Sequence, residues 1–400
     1  MQWAKGLTAL NLAIPIYSFI HGIGLMLGMG GATRYAILKS QGEKQRADRN
    51  FTNTIWLAAV SAALFMLAGI FLSGWITRLM GADAEVFAMT DTYLRVLLLF
   101  SPAFVMNEVL VCFVRNDGSP KLSMAGMVVG SLSNIFMDYI LIFPMELGIL
   151  GAVLATGTAP VISMGILSLH FFKKKNQFHF VKGKLEMGMA QQALALGVPS
   201  LVSEVSTGIV MIIFNGIILG LRGNVGVAAY GIIANLSLVI VAIYTGVAQG
   251  MQPLVSRAYG KNERKGERSL LRYAMVAVAG ISCAAYAGVL FGADFIVRVF
   301  NSEGNKELQG IANVGMRIYF MGVFFMGVNI VLAVYFTSRE KVAPAYVISL
   351  LRGIVAIVPV AFLLSSLWGM AGVWMAAPVT EGMVAVFGIA SGLLELLRKK

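Results

Sequence analysis

Charged residues, cysteine and histidine are all scarce in this chain. Only 12% of its 400 residues are charged, and it holds two cysteines and three histidines. Cys112 and Cys283 lie far apart in apolar stretches, so they predict neither a disulfide framework nor a metal-ligand spacing. The sequence also lacks a G-x-x-x-x-G-K-[ST] phosphate loop and any nucleophile–base pair at a spacing typical of catalysis. These absences exclude a nucleotide-hydrolysing domain and give no indication of an enzyme.

Long apolar runs make up most of what is present. Hydrophobic residues account for 58% of the chain, and a run of about 20 apolar residues spans a bilayer core as a helix. Spanning segments must be helices or closed barrels, because backbone groups in lipid have to pair internally. These runs are too long and continuous for barrel strands. The sequence therefore predicts an all-α, polytopic membrane helix bundle with eleven spans, at residues 7–30, 54–77, 91–114, 122–143, 148–171, 194–220, 226–250, 271–292, 312–336, 343–365 and 369–394.

Basic residues are distributed unevenly between the two sides of these spans. One side holds 23 of the 31 Lys and Arg residues, in segments 34–53, 115–121, 173–184, 257–272, 339–341 and 398–400. The opposite connections hold five. Because cytoplasmic loops are enriched in Lys and Arg, we expect the C-terminus in the cytoplasm and Met1 outside, in the inner (cytoplasmic) cell membrane. This topology accounts for the net charge of +12, so no nucleic-acid partner is expected.

The chain repeats itself at a spacing of about 220 residues. Arg95 and Asn107 recur as Arg317 and Asn329, and a G-x-x-G-x-x-x-A pattern opens the last span of each half. Two halves in the same membrane orientation form a parallel repeat, which is a common plan among transporters.

The repeat predicts two pseudo-symmetric lobes with a linker between them. The N-terminal lobe covers residues 1–172 with five spans, and the C-terminal lobe covers residues 194–400 with six. Residues 173–193 form a basic cytoplasmic linker. The span at 194–220 has no counterpart in the first half, so the simplest interpretation is that a first helix is missing from this chain.

The fourth and fifth spans carry three oxygen-bearing side chains. Asn134 and Asp138 are four residues apart and share one face of a helix, and Thr156 lies early in the antiparallel span that follows. The three can meet at similar depth in the membrane. Placing a carboxylate there costs free energy, so such a residue is interpreted by default as part of a functional site. They predict a site for Na+ or H+, with no other metal and no cofactor. The alternative is that Asp138 bonds a neighbouring helix or reaches the outer interface.

Four further charged residues within spans have a predicted role. Glu108 either lines a central cavity or pairs with Arg115 at the inner interface. Glu204 lies six residues inside its span beside hydroxyl residues, which favours a role in the cavity. Arg352 and Glu381 lie near the middles of adjacent spans and predict a structural ion pair, because pairing avoids an isolated charge in lipid.

The two lobes, the glycine-rich turn at residues 28–31 and the Asn134-x-x-x-Asp138 helix followed by GILGA at residues 148–152 together resemble the multidrug and toxin extrusion (MATE) family. The resemblance begins at the family's second helix and covers essentially the whole chain. It implies a V-shaped bundle of two lobes that exchanges a cation for an organic substrate.

The resemblance also implies roles for individual residues. In one branch of the family an acid on the first helix joins an Asn, an Asp and a Thr, and Asn134, Asp138 and Thr156 match the last three. The other branch places its acids on the seventh and tenth helices, where this chain offers Glu204 and Asn329 but no second carboxylate. We expect a substrate cavity or a second cation site to be lined by Glu108, Glu204 and Asn329.

These observations predict a secondary antiporter rather than an enzyme. It would export drugs or other amphipathic organic cations in exchange for Na+ or H+, as a monomer in membrane lipid. One alternative is a flippase for a lipid or a lipid-linked saccharide, which would need a cationic cavity. The mid-span acids Asp138, Glu204 and Glu381 outnumber the central Arg352 and favour the exporter. A membrane-embedded enzyme, or a nontransporting scaffold or inactive fragment, is the second alternative.

Overall fold

Helices account for all the regular structure of the residues that the structure describes. The computed structural model describes residues 2–183, 185–301 and 304–397, and no strand occurs among them. The described residues form two compact units, one extending to Val205 and the other beginning at Ser206. The lobe limits drawn from the sequence, with a linker at 173–193, stay predictions, as does the missing first helix.

The first unit contains eight complete helices and the beginning of a ninth. Their bounds are α1 Gln2–Ser40, α2 Lys44–Phe71, α3 Ser73–Leu79, α4 Phe87–Leu99, α5 Ser101–Asn116, α6 Pro120–Ile142, α7 Gly148–Leu167, α8 Leu169–Phe172 and α9 Met187–Gly260. Helices α6 and α7 form an antiparallel hairpin, and α1 packs against α2, α4 and α5.

The second unit contains the rest of α9 and five further helices. These are α10 Arg264–Phe300, α11 Lys306–Tyr319, α12 Val323–Ser338, α13 Val342–Leu350 and α14 Ile357–Leu397. A 3₁₀ turn, Phe320–Gly322, leads into α12, and a π-helical turn, Leu351–Val355, follows α13.

The described helices include eight that are long and apolar enough to cross a membrane, or nine when the bent pair α4 and α5 counts as one span. At 1.5 Å per residue the 74-residue α9 would be roughly 110 Å long, several times the bilayer core. Gly223 breaks α9 with a φ of 60°, and Gly369 breaks α14 with a φ of 56°; only glycine adopts this region at little cost. Counting each broken helix as two spans gives eleven among the described residues, and the predicted all-α membrane bundle is confirmed.

Residues 173–183 lie against the N-terminal part of α2 and the C-terminal end of α5 in the first unit. The buried carboxylate of Asp117 accepts hydrogen bonds from the Gln177 backbone at 2.7 Å and from Lys39 Nζ at 2.6 Å. It also accepts from the Tyr35 hydroxyl at 2.6 Å and lies 2.8 Å from His170 Nε2. A buried carboxylate is stable only when it is paired and hydrogen-bonded, and Asp117 meets that condition by holding this segment to α1 and α8.

Candidate functional site

Small residues bring α6 and α7 together. A Cβ added to Gly126 would lie 3.2 Å from the Leu167 side chain, and one added to Gly130 would lie 3.1 Å from the Cβ of Ser163. Helices in lipid associate through close packing of this kind, since lipid tails are as apolar as the helix faces they would cover.

Asn134 and Asp138 continue the four-residue spacing of Gly126 and Gly130 toward the C-terminal end of α6. The Asn134 amide nitrogen is buried and has no hydrogen-bond partner within the described structure. Asp138 is partly buried. Thr156 of α7 donates to the Ala152 carbonyl at 2.9 Å, and the hydrogen bonds of the described residues include none that joins it directly to Asp138.

Tyr93 of α4 connects Thr156 with Asp138. Its hydroxyl lies near the Thr156 side chain, and it is close enough to Asp138 to interact with it electrostatically. The ring is 8% exposed, so packing fixes the position of the hydroxyl. The structure thus groups Asp138 and Thr156 around a tyrosine that the sequence analysis did not identify.

A second polar cluster surrounds His21 of α1. His21 Nε2 lies 3.6 Å from Glu108 Oε1 of α5, and His21 Nδ1 lies 3.7 Å from Glu204 Oε2 of α9. Glu108 also lies near the Asn107 side chain and interacts electrostatically with Arg115. Glu204 belongs to the first structural unit, which extends to Val205.

Glycines of α1 explain how three helices converge on His21. A Cβ on Gly22 would lie 3.3 Å from the Cβ of Glu204, and one on Gly24 would lie 3.1 Å from the Cβ of Glu108. Further along, a Cβ on Gly197 of α9 would lie 1.9 Å from the Met26 carbonyl oxygen. Larger side chains at these positions would separate the helices and move both carboxylates away from the imidazole.

Tyr17 extends the cluster toward Tyr93. Its ring stacks on His21 with the centroids 6.1 Å apart, and meets Phe104 edge-to-face at 5.6 Å. Tyr17 also interacts electrostatically with Glu108 and with Tyr93. The first unit therefore holds a series of polar groups that runs from the α6–α7 hairpin to His21.

In the second unit, Arg352 and Glu381 form a buried ion pair. Arg352 Nη2 and Nε donate to Glu381 Oε1 at 2.9 and 3.2 Å. The Asn329 amide donates to Glu381 Oε2 at 2.6 Å and to the Glu381 carbonyl at 2.8 Å. The Asn329 amide oxygen is buried without a partner in the described structure, as is that of Asn107, its counterpart in the sequence repeat.

Comparison with known proteins gives concordant results along most of the chain. The chain is 24% identical over 386 residues to the multidrug export protein MepA of Staphylococcus saprophyticus, covering 95% of this chain and 84% of that protein. It is 25% identical over 382 residues to MepA of Staphylococcus haemolyticus, covering 95% and 83%.

The solved structures show the same fold. One, described as the outward-facing conformation of a multidrug resistance MATE family transporter of the MOP superfamily, has a TM-score of 0.93 at 22% identity and covers 99% of this chain and 89% of its own. A crystal structure of MATE in complex with MaL6 has a TM-score of 0.92 at 22% identity and covers 99% and 90%. The profile of the MatE family matches residues 4–140 and 199–363, and the protein therefore belongs to this family of membrane transporters.

Proposed function

We propose that the protein is a secondary antiporter that exports drugs or other amphipathic organic cations across the inner cell membrane in exchange for Na+ or H+. Its relatives are named for multidrug export. The basic segments favour a cytoplasmic C-terminus. The protein is proposed to work as a monomer in lipid.

Asp138 is the observation that carries this proposal. It is an ionisable side chain in a helix long and apolar enough to span a bilayer, and such residues lie on ion or proton pathways in membrane proteins. The oxygens of Asn134, Thr156 and Tyr93 are the neighbouring ligands proposed for the ion. Coupling follows if ion and substrate each bind the alternative conformations with different affinities.

The other polar residues are proposed to serve the substrate. Glu108 and Glu204 supply negative charge for an organic cation, and Asn329 contributes its free amide oxygen. Arg352 is paired with Glu381 at 2.9 Å, so its charge is not available to an anionic lipid headgroup. This pairing supports the exporter over the flippase.

The test is gradient-driven export from proteoliposomes that contain either wild type or Asp138→Asn. An imposed Na+ gradient and an imposed pH gradient are compared in separate experiments, which identifies the coupling ion. Asp138→Asn is expected to abolish export under the effective gradient, whereas Glu146→Gln, in the exposed turn of the same hairpin, should export like wild type. Wild-type export by Asp138→Asn would refute the assignment.

A further inference from the structure

His21 lies between two carboxylates that come from different helices. Its distances to Glu108 and Glu204 are 3.6 and 3.7 Å, too long for hydrogen bonds but within ion-pair range. The His21, Glu108 and Glu204 side chains are 30%, 17% and 38% exposed. The cluster is therefore close-packed yet remains accessible to a ligand.

The charges around His21 leave one carboxylate to be balanced. Tyr17 faces it from α1, Glu204 from α9, and Glu108 from α5, where Arg115 offsets part of the charge on Glu108. Charged residues of α2 are confined to its first six positions. On α4, Asp91 and Arg95 pair with each other, 3.2 Å apart, and Tyr93 reaches Tyr17. With neutral His21, two carboxylates and one arginine leave a net charge of about −1.

One monovalent cation restores that balance, and it can be either a proton on His21 or an external organic cation. We propose that His21 carries a proton that an organic cation displaces when it binds between Glu108 and Glu204. The N–H bond of the imidazolium breaks, the proton passes to water, and the organic cation takes over the ion pair with the two carboxylates. The net charge of the cluster is the same before and after the exchange.

Aromatic rings beside the carboxylates suit an organic cation better than a metal ion. Tyr17 stacks on His21 and packs edge-to-face on Phe104, and aromatic faces attract organic cations. No group of three His, Cys, Asp or Glu side chains within the described ranges could hold a metal ion. The inference rests on the proposed export of organic cations, and it adds a second, substrate-linked proton at a site separate from Asp138.

Proton release on binding tests the exchange directly. The full chain is purified in detergent micelles and titrated calorimetrically with tetraphenylphosphonium at several pH values, each in two buffers of different ionisation enthalpy. In the pH range where His21 is protonated, wild type is expected to release about one proton for each tetraphenylphosphonium bound. In that range the affinity for tetraphenylphosphonium should rise about tenfold per pH unit, because the two cations compete one for one. In His21→Gln this proton release should be lost and the affinity should depend little on pH.

Matched variants separate this role from a structural one. His179→Gln, which alters an exposed histidine outside the spans, should keep the wild-type proton release. Glu204→Gln should weaken tetraphenylphosphonium binding roughly tenfold or more, because it removes one of two nearby charges, whereas Glu146→Gln should not. Unchanged proton release in His21→Gln, unchanged affinity in Glu204→Gln, or no tetraphenylphosphonium binding by wild type would each overturn the inference.

The assay also distinguishes this inference from the proposed coupling at Asp138. Binding in micelles involves no ion gradient, so the two assays are independent. If proton release depends on His21 but Asp138→Asn exports at the wild-type rate, only the coupling role of Asp138 is refuted. The reverse outcome, loss of export in Asp138→Asn with proton release unaffected by His21→Gln, would refute only the role of His21.

Discussion

The Arg352–Glu381 pair allows a quantitative prediction for the second unit. Both side chains are largely buried, at 15% and 9% exposed, and breaking a buried pair by removing one partner costs about 3–5 kcal/mol, since a buried charge is left without compensation. Arg352→Met removes two hydrogen bonds to Glu381 and leaves that carboxylate with Asn329. We therefore expect about 3–5 kcal/mol of destabilisation from Arg352→Met and a similar loss from Glu381→Gln.

The double substitution Arg352→Met/Glu381→Gln should destabilise the protein less than either single substitution, because it leaves no charge unpaired. The measurement is the unfolding free energy from titration of detergent micelles with a denaturing detergent, analysed as a double-mutant cycle. The control is Arg298→Met, which breaks the exposed pair of Arg298 with Asp294 and should cost less than about 1 kcal/mol. Additive losses in the cycle would show that the two residues do not stabilise the fold as a pair.

Three other predictions follow from the packing and the charge distribution. Gly197→Ala places a Cβ 1.9 Å from a backbone carbonyl oxygen and should cost about 1–3 kcal/mol or more in the same unfolding assay, whereas Gly208→Ala, with open space around it, should not. Asp117→Asn removes the negative charge that faces Lys39 and should accelerate proteolysis of residues 173–183; cleavage at the wild-type rate would contradict that role. In a cysteine-free background, an external thiol reagent should label Asn305→Cys but not Asn262→Cys, and the opposite pattern would reverse the proposed orientation.

The sequence predicted the architecture because the spans and their connections leave strong local signals. Apolar length identified the helices, and the breaks in α9 and α14 fall at Gly223 and Gly369, close to the predicted ends of spans. The pairing of Arg352 with Glu381 was predicted because both residues lie near the middles of adjacent spans, where an isolated charge is costly.

The composition of the candidate site was predicted less completely. Spacing on one helix placed Asp138 and Asn134 together, but Tyr93 comes from a distant helix, and a tyrosine at a helix face has no distinctive signal. His21 has no distinctive signal in the sequence, because one histidine in an apolar run is ambiguous. The close approach of helices at Gly22 and Gly24 brings two carboxylates near this imidazole, and hydropathy does not report such packing.

Ion flux driven by a substrate gradient tests the central claim most directly, because coupling between two ligands is reciprocal. Proteoliposomes are loaded with tetraphenylphosphonium, diluted into medium without it, and monitored for movement of the coupling ion, either H+ by an internal pH dye or Na+ by an isotope. The account predicts that outward flow of the organic cation drives inward flow of the ion in wild type and in Glu146→Gln, and that Asp138→Asn abolishes this ion flow. Ion movement at the wild-type rate in Asp138→Asn, or none in wild type, would contradict antiport through Asp138.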